Sequence, residues 1–327
     1  MVLKNNKLSR HDLLIKVAKM YYMENASQEE IAKEIGFSRS NISRLLSACR
    51  EEKIVEFKIN DTSSKGLELQ DQIKEFYGLQ KVIVVPTEND NEKTKLQVAK
   101  AAAAYLESVL RNGMLVGIAW GTTLYQIVQN FKPEKEFTAN VIQLLGGMGS
   151  KSLDTDGQAL ARDLASKLHG DCYLLQTPLF VQSKLLKDML LDEPHIKQHF
   201  DLFKKIDIAL IGIGSNIPEH SAVYRSGYIT KKESQQLIKS GAAADICGYK
   251  IDINGYLCPL SLSERIIGID LNQLIKVPIV LGAASGIEKA EAIIAGLRGK
   301  YIKVLVVDEK TALKVLDMEG SPLMRHS

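Results

Sequence analysis

Apolar side chains recur at three- and four-residue spacing through Leu13, Leu14, Val17, Ala18, Met20 and Tyr21 in a stretch otherwise rich in Lys, Asp and His. That period predicts an amphipathic helix. Ser27-Gln28-Glu29-Glu30 then reads as a capping box, the Ser27 hydroxyl accepting from the Glu30 N–H and the Glu30 carboxylate accepting from the Ser27 N–H. A short second helix is expected to follow, with Ile31, Ala32 and Ile35 inward and Gly36 ending it in a left-handed conformation. Ser38 is placed to cap a third helix whose stripe is Ile42, Leu45 and Leu46, so that Arg39, Ser40, Asn41, Ser43 and Arg44 point outward. Alternation over residues 53–59 predicts a strand, the wing of a winged helix.

The chemistry of that outward face suits a DNA major groove. Arg matches the paired acceptors of guanine, Asn matches adenine, and Ser serves a base or a phosphate, with the first turn of such a helix entering the groove. Gln28, Ser38, Arg39, Ser40, Asn41, Ser43 and Arg44 are therefore the candidate DNA contacts. The alternative is a small helical module with a solvated Arg/Ser face that binds a protein partner.

Beyond a polar boundary at residues 61–65 the period changes. A helix at 66–77 leads into apolar runs at 82–85, 114–119, 141–145, 173–176, 206–213, 277–282 and 304–307. Helical patterns at 93–110, 157–168, 288–297 and 310–316 fall between them. Continuous apolar strands separated by helices predict a doubly wound, mostly parallel α/β sheet covered on both faces. The expected organisation is a head of residues 1–60 and a body of residues 61–327.

Ligands of such sheets lie outside the carboxyl ends of the strands. Four loops there are candidates: Trp120-Gly121-Thr122-Thr123, which opens a helix; Gly146-Gly147-Met148-Gly149-Ser150; Gly212-Ile213-Gly214-Ser215; and Gly282-Ala283-Ala284-Ser285-Gly286, which leads to Lys289. A helix start offers N–H groups to an anion, and glycine admits a ligand close to the main chain. Each loop alone is equally explained by tight packing.

Composition narrows the function class. With 45% hydrophobic and 25% charged residues the chain can bury a large core. Its apolar runs are far shorter than a membrane span, and without a leader pattern the expected location is the cytosol. Residues 1–60 hold 11 of the 42 basic and 8 of the 39 acidic side chains, so the whole net charge of +3 sits in the head. A basic head permits nucleic-acid binding. Cys49, Cys172, Cys247 and Cys258 form no C-x-x-C pair and read as packing residues. The six histidines show no metal-ligand motif, and His195 and His199 read as surface residues of a charged helix. No dinucleotide or Walker pattern is present, so neither metal nor cofactor is expected.

The head stretches 27–32 and 38–46, with Gly121-Thr122-Thr123-Leu124, Gly146-Gly147-Met148-Gly149, Arg225-Ser226-Gly227-Tyr228-Ile229, the 241–248 segment around Asp245, and the 289–299 and 306–309 segments, resemble the SorC family of bacterial sugar-responsive transcriptional regulators. The resemblance implies an effector domain folded like sugar-phosphate isomerases and deaminases, operator DNA as partner, and a homo-oligomer, usually a tetramer. It implies that Gly121, Thr122 and Thr123 hold an effector phosphate and that Gln158, Asp245 and Lys289 complete the pocket, with Gly147 and Gly286 in its loops. Without it, Lys289 reads as a solvated helix lysine and Asp245 as a turn residue. The chain departs from the family in having Leu145 where many relatives carry Lys or Arg, which disfavours a bisphosphate or an imine-forming effector. It also has Ser285 where a second glycine is common.

Two function classes follow: an effector-controlled DNA-binding regulator, or a sugar-phosphate isomerase or deaminase with an interaction head. The enzyme needs a general base, and Asp245 is the one loop carboxylate available, with no histidine in a recognisable arrangement beside it.

Overall fold

The computed structural model describes residues 9–55, 64–149, 155–216, 221–225 and 229–320. Residues 56–59 of the expected wing, most of the 61–65 boundary, Ser150, Ser226 to Tyr228, His220 and His326 lie outside the described residues. The chain divides into two compact units, Met1–Asp61 and Thr62–Ser327.

In the first unit, α1 (Arg10–Tyr22), α2 (Gln28–Ile35) and α3 (Arg39–Glu51) each start on a serine cap. The capping box is formed in full: the Glu30 N–H donates to Ser27 Oγ at 3.3 Å and the Ser27 N–H donates to Glu30 Oε2 at 2.8 Å. Gly36 ends α2 at φ 79°, where a side chain would strain the backbone. Val17, Met20, Ile31, Ala32, Ile42 and Leu46 close the core between the three helices. The expected strand does not begin at residue 53. Lys53 takes a left-handed φ of 56°, and the N–H groups of Ile54 and Val55 both donate to the Cys49 carbonyl, so these residues terminate α3 as a turn.

The second unit opens with α4 (Ser64–Tyr77) and β1 (Lys81–Val85) and continues through α5 (Asn91–Val109), β2 (Leu115–Ile118), α6 (Thr122–Asn130), β3 (Asn140–Gln143), α7 (Gly157–Lys167) and β4 (Cys172–Tyr173). Then come α8 (Lys184–Asp192), α9 (Pro194–Leu202), β5 (Ile208–Gly212), β6 (Gly214–Ser215), α10 (Ala222–Arg225), α11 (Lys231–Lys239), β7 (Ala242–Ile246) and β8 (Tyr249–Asp252). The chain ends through α12 (Leu271–Lys276), β9 (Ile279–Ala284), α13 (Ala290–Arg298), β10 (Val304–Asp308) and α14 (Glu309–Met318).

Seven strands form one sheet in the order β1-β10-β9-β5-β2-β3-β4, every pair parallel. All four residues of β2 and all five of β10 are buried, as strands covered on both faces must be. The apolar run at 173–176 pairs only through Cys172 and Tyr173. Beyond them the Gln143 side chain takes over, its Oε1 accepting from the Leu175 N–H at 3.0 Å. A second, antiparallel sheet, β6-β7-β8, is not announced by any long apolar run.

His199 corrects the reading of a surface residue. It is only 6% exposed, and Nε2–H donates to the Gln143 carbonyl at 2.8 Å. The ring stands edge-on to Phe203. Burial lowers its pKa, and the bond to Gln143 opposes that shift more weakly.

Candidate functional site

On the first unit, Arg39, Ser40, Asn41, Ser43 and Arg44 are exposed along the start of α3, while Ile42 and Leu46 are buried beneath them. Gln28 is half-buried at the start of α2. Ser38 Oγ accepts from the Asn41 N–H at 3.3 Å and meets Ser40 Oγ at 2.9 Å, so this hydroxyl both caps the helix and organises its polar start. Arg39 lies 3.7 Å from Glu29, an exposed pair that solvent weakens and a competing anion can displace.

On the second unit, a cavity opens at the carboxyl edge of the sheet, where β2 and β5 end. The Trp120 to Leu124 turn, Leu145, the Gly212 to Ser215 turn, Asp245, Cys247, Gly248 and Lys289 line it. Gly121 turns the chain from β2 into α6 at φ 125°, and no side chain caps the helix. Thr122, Thr123 and Leu124 of its first turn line the cavity, at the end of the helix where free N–H groups and the positive end of the dipole lie. Lys289, in the single turn Ile287–Lys289 before α13, sends Nζ across to donate to the Ile213 carbonyl at 3.1 Å.

Asp245 reaches the cavity from β7. Its Oδ1 accepts from the Gly248 N–H at 2.8 Å, and its Oδ2 accepts from the ammonium of Lys250. Lys250 is fully buried and escaped the sequence reading. One signal was available: a lysine among Cys247, Tyr249 and Ile251 interrupts an otherwise apolar stretch. The Cys247 thiol beside it is pushed well up by burial and further by the Asp245 carboxylate.

The remaining candidates lie outside the cavity wall. Gly147 packs by its main chain, its N–H donating to the Thr177 carbonyl at 2.8 Å and its carbonyl accepting from Leu179 at 2.9 Å. A Cβ built on Gly147 would stand 3.5 Å from Gln158 Nε2, so these two form a neighbouring group where β3 meets α7. At Gly146 a Cβ would fall 2.5 Å from the Pro178 backbone, so that glycine answers to packing. Gly286, at φ 100°, donates its N–H to the buried Asp308 carboxylate at 3.0 Å and shapes the turn that presents Lys289. Ser285 is half-buried beside it. Among the described residues no group of His, Cys, Asp and Glu could hold a metal ion, and no helix is long and apolar enough to cross a membrane.

A three-helix head with an exposed polar face on α3, joined to a parallel α/β body with a cavity at its sheet edge, fits the class of ligand-responsive transcriptional regulators. Comparison with known proteins narrows it. Residues 61–317 match the sugar-binding domain family, Sugar-bind. The chain is 30% identical to the deoxyribonucleoside regulator of Bacillus subtilis (strain 168) over 305 residues, 93% of this chain and 96% of that one. It is also 30% identical to the sorbitol operon regulator of Klebsiella pneumoniae over 304 residues, 92% of this chain and 96% of that one. The crystal structure of full-length SorC from Klebsiella pneumoniae superposes with a TM-score of 0.86 at 28% identity, covering 95% of this chain and all of that one. The chain belongs to the SorC family of sugar-responsive transcriptional regulators.

Proposed function

We propose that the protein reads operator DNA through α3 as an even-numbered oligomer and that its effector is a monophosphorylated sugar or polyol bound without a covalent link. The carrying observation is the uncapped N-terminus of α6, with Thr122 and Thr123, opening into the cavity that Lys289 and Asp245 also line. A helix N-terminus and an ammonium together suit one phosphate. Asp245 is placed to accept from sugar hydroxyls, a role the family resemblance also gives to Gln158, which stands beside Gly147 outside the cavity wall. Leu145 presents an apolar wall where a basic side chain would serve a second phosphate or an imine.

The assignment as a regulator without catalytic activity rests on the same geometry. Asp245 is tied to Lys250 and to the Gly248 N–H, which does not suit a general base, and burial keeps the Cys247 thiol protonated. An unphosphorylated sugar is the second reading, favoured by the two threonine hydroxyls, which also bind neutral oxygens. Pentoses, hexoses, sorbitol and their phosphates should be titrated against the protein bound to DNA. Phosphate esters are expected to act at far lower concentration than the free sugars. Equal potency, or a sugar trapped on a lysine by borohydride, overturns the reading.

A further inference from the structure

A fully buried lysine needs a reason. Lys250 has no exposed surface and does not line the cavity, yet its ammonium ends on Asp245, the one carboxylate among the described residues that does. Removing an ammonium from water costs several kcal/mol before pairing returns any of it, and apolar residues of similar volume commonly stabilise a fold as well. The pair is nonetheless built with care. Cys247 and Gly248 both take positive φ, 52° and 84°, so β7 and β8 join through a two-residue turn that sets Asp245 directly opposite Lys250. On the other side Asp245 pairs with Gly214, where a Cβ would come within 2.8 Å of the Asp245 Cβ, so glycine admits the carboxylate. The carboxylate is thus fixed between Gly214, the Gly248 N–H and the Lys250 ammonium, with 11% of the side chain exposed.

We infer that Lys250 is a positioning and specificity-determining residue, the buried counter-charge that lets an anionic ligand share the cavity with Asp245. The inference rests on the reading of this cavity as an anion site. A bare carboxylate there would repel a phosphate group across a short, poorly screened distance. With Lys250 behind it the Asp245 wall is close to neutral. Asp245 then keeps its acceptor oxygens for hydroxyl groups while the field at the start of α6 remains favourable to an anion.

The test uses the full-length protein and inorganic phosphate, with binding followed by phosphorus NMR and by the rise in thermal stability that a bound ligand gives. Lys250→Met removes the charge, and Lys250→Gln removes the charge while keeping a hydrogen-bond donor and most of the volume. Both should bind phosphate about tenfold more weakly, the scale of one unit charge across such a cavity. Lys250→Gln combined with Asp245→Asn makes the pair neutral again and should return phosphate affinity to within about twofold of the starting protein. A merely structural lysine gives a different pattern, in which the double variant stays as weak as the single one. Phosphate binding unchanged in Lys250→Gln overturns the inference while leaving the anion site standing. Absence of phosphate binding by the unaltered protein overturns the anion site itself, and the inference with it. Should the single variants not fold, the double variant decides: it must fold and bind phosphate, and failure of either overturns the proposal.

Discussion

His199 is held where a positive charge is poorly tolerated, against Phe203 and under the carbonyl of a sheet strand. Its folded-state pKa is lowered from the ordinary 6.5, mainly by burial, so the unfolded chain takes up the proton first as the pH falls. The stabilisation is then fully present above about pH 6.5 and is lost on acidification through the window below it. Thermal or urea denaturation should show stability falling between neutral pH and about pH 5.5, and His199→Gln should flatten that slope. An unchanged slope would show that other groups carry it. The neighbouring Gln143 does as much by different means. Its carboxamide donates to the Leu145 carbonyl at 2.6 Å and accepts from Leu175, joining β3 to the loops on both sides with a fully buried side chain.

Among the elements, α3 makes the clearest demand. Arg44 is exposed one turn into the helix, between the buried Ile42 and Leu46. Arg44→Ala is expected to lose about 1–3 kcal/mol of discrimination for the specific operator while the second unit keeps its thermal transition. Gel-shift titrations at one fixed salt concentration check this, and equal affinity for the operator counts against the assignment. At α6, Thr123→Val should weaken a sugar phosphate more than the free sugar, measured by calorimetry, because the hydroxyl lost stands at the anion end of the helix. The head helices and six of the apolar runs were legible in the sequence because each carries its own local signal, Ser27 with Glu30, Gly36, or a continuous stretch such as Val304 to Val307, whereas of the run at 173–176 only Tyr173 lies in a strand. The β6-β7-β8 hairpin sheet was not legible, since strands as short as Gly214–Ser215 show no period. Asp245 entered the site reading through family resemblance alone. Lys250 did not enter at all, because its burial follows from a tertiary pairing that local patterning does not encode.

For the whole molecule, the second unit carries apolar surface that a lone copy leaves in water. Leu185, Leu186 and Met189 are exposed on α8, a helix without a buried residue, and Leu67 and Phe76 are exposed on α4. The proposed even-numbered oligomer would bury such surface, and a single recognition helix reads too short a half-site to act alone. Light scattering of residues 62–327 is expected to give a dimer or a larger even-numbered assembly at micromolar concentration. A monomeric second unit, with the full chain bound to DNA as a monomer, contradicts this.

The order of the strands also sets a timetable. β1 lies at the edge of the sheet beside β10, and Thr87, just past β1, donates to Asp308 from 221 residues away along the chain. A ribosome therefore delivers the three helices of the head, whose hydrophobic clusters are formed among their own residues, long before it delivers the strand that β1 needs. A translation product broken off ahead of β10 would carry a complete three-helix head and an unfinished sheet. The distance between β1 and β10 thus makes closure of this sheet a long-range event, and any fragment that stops short of β10 leaves the facing edges of β1 and β9 unpaired, the kind of surface that pairs with other chains.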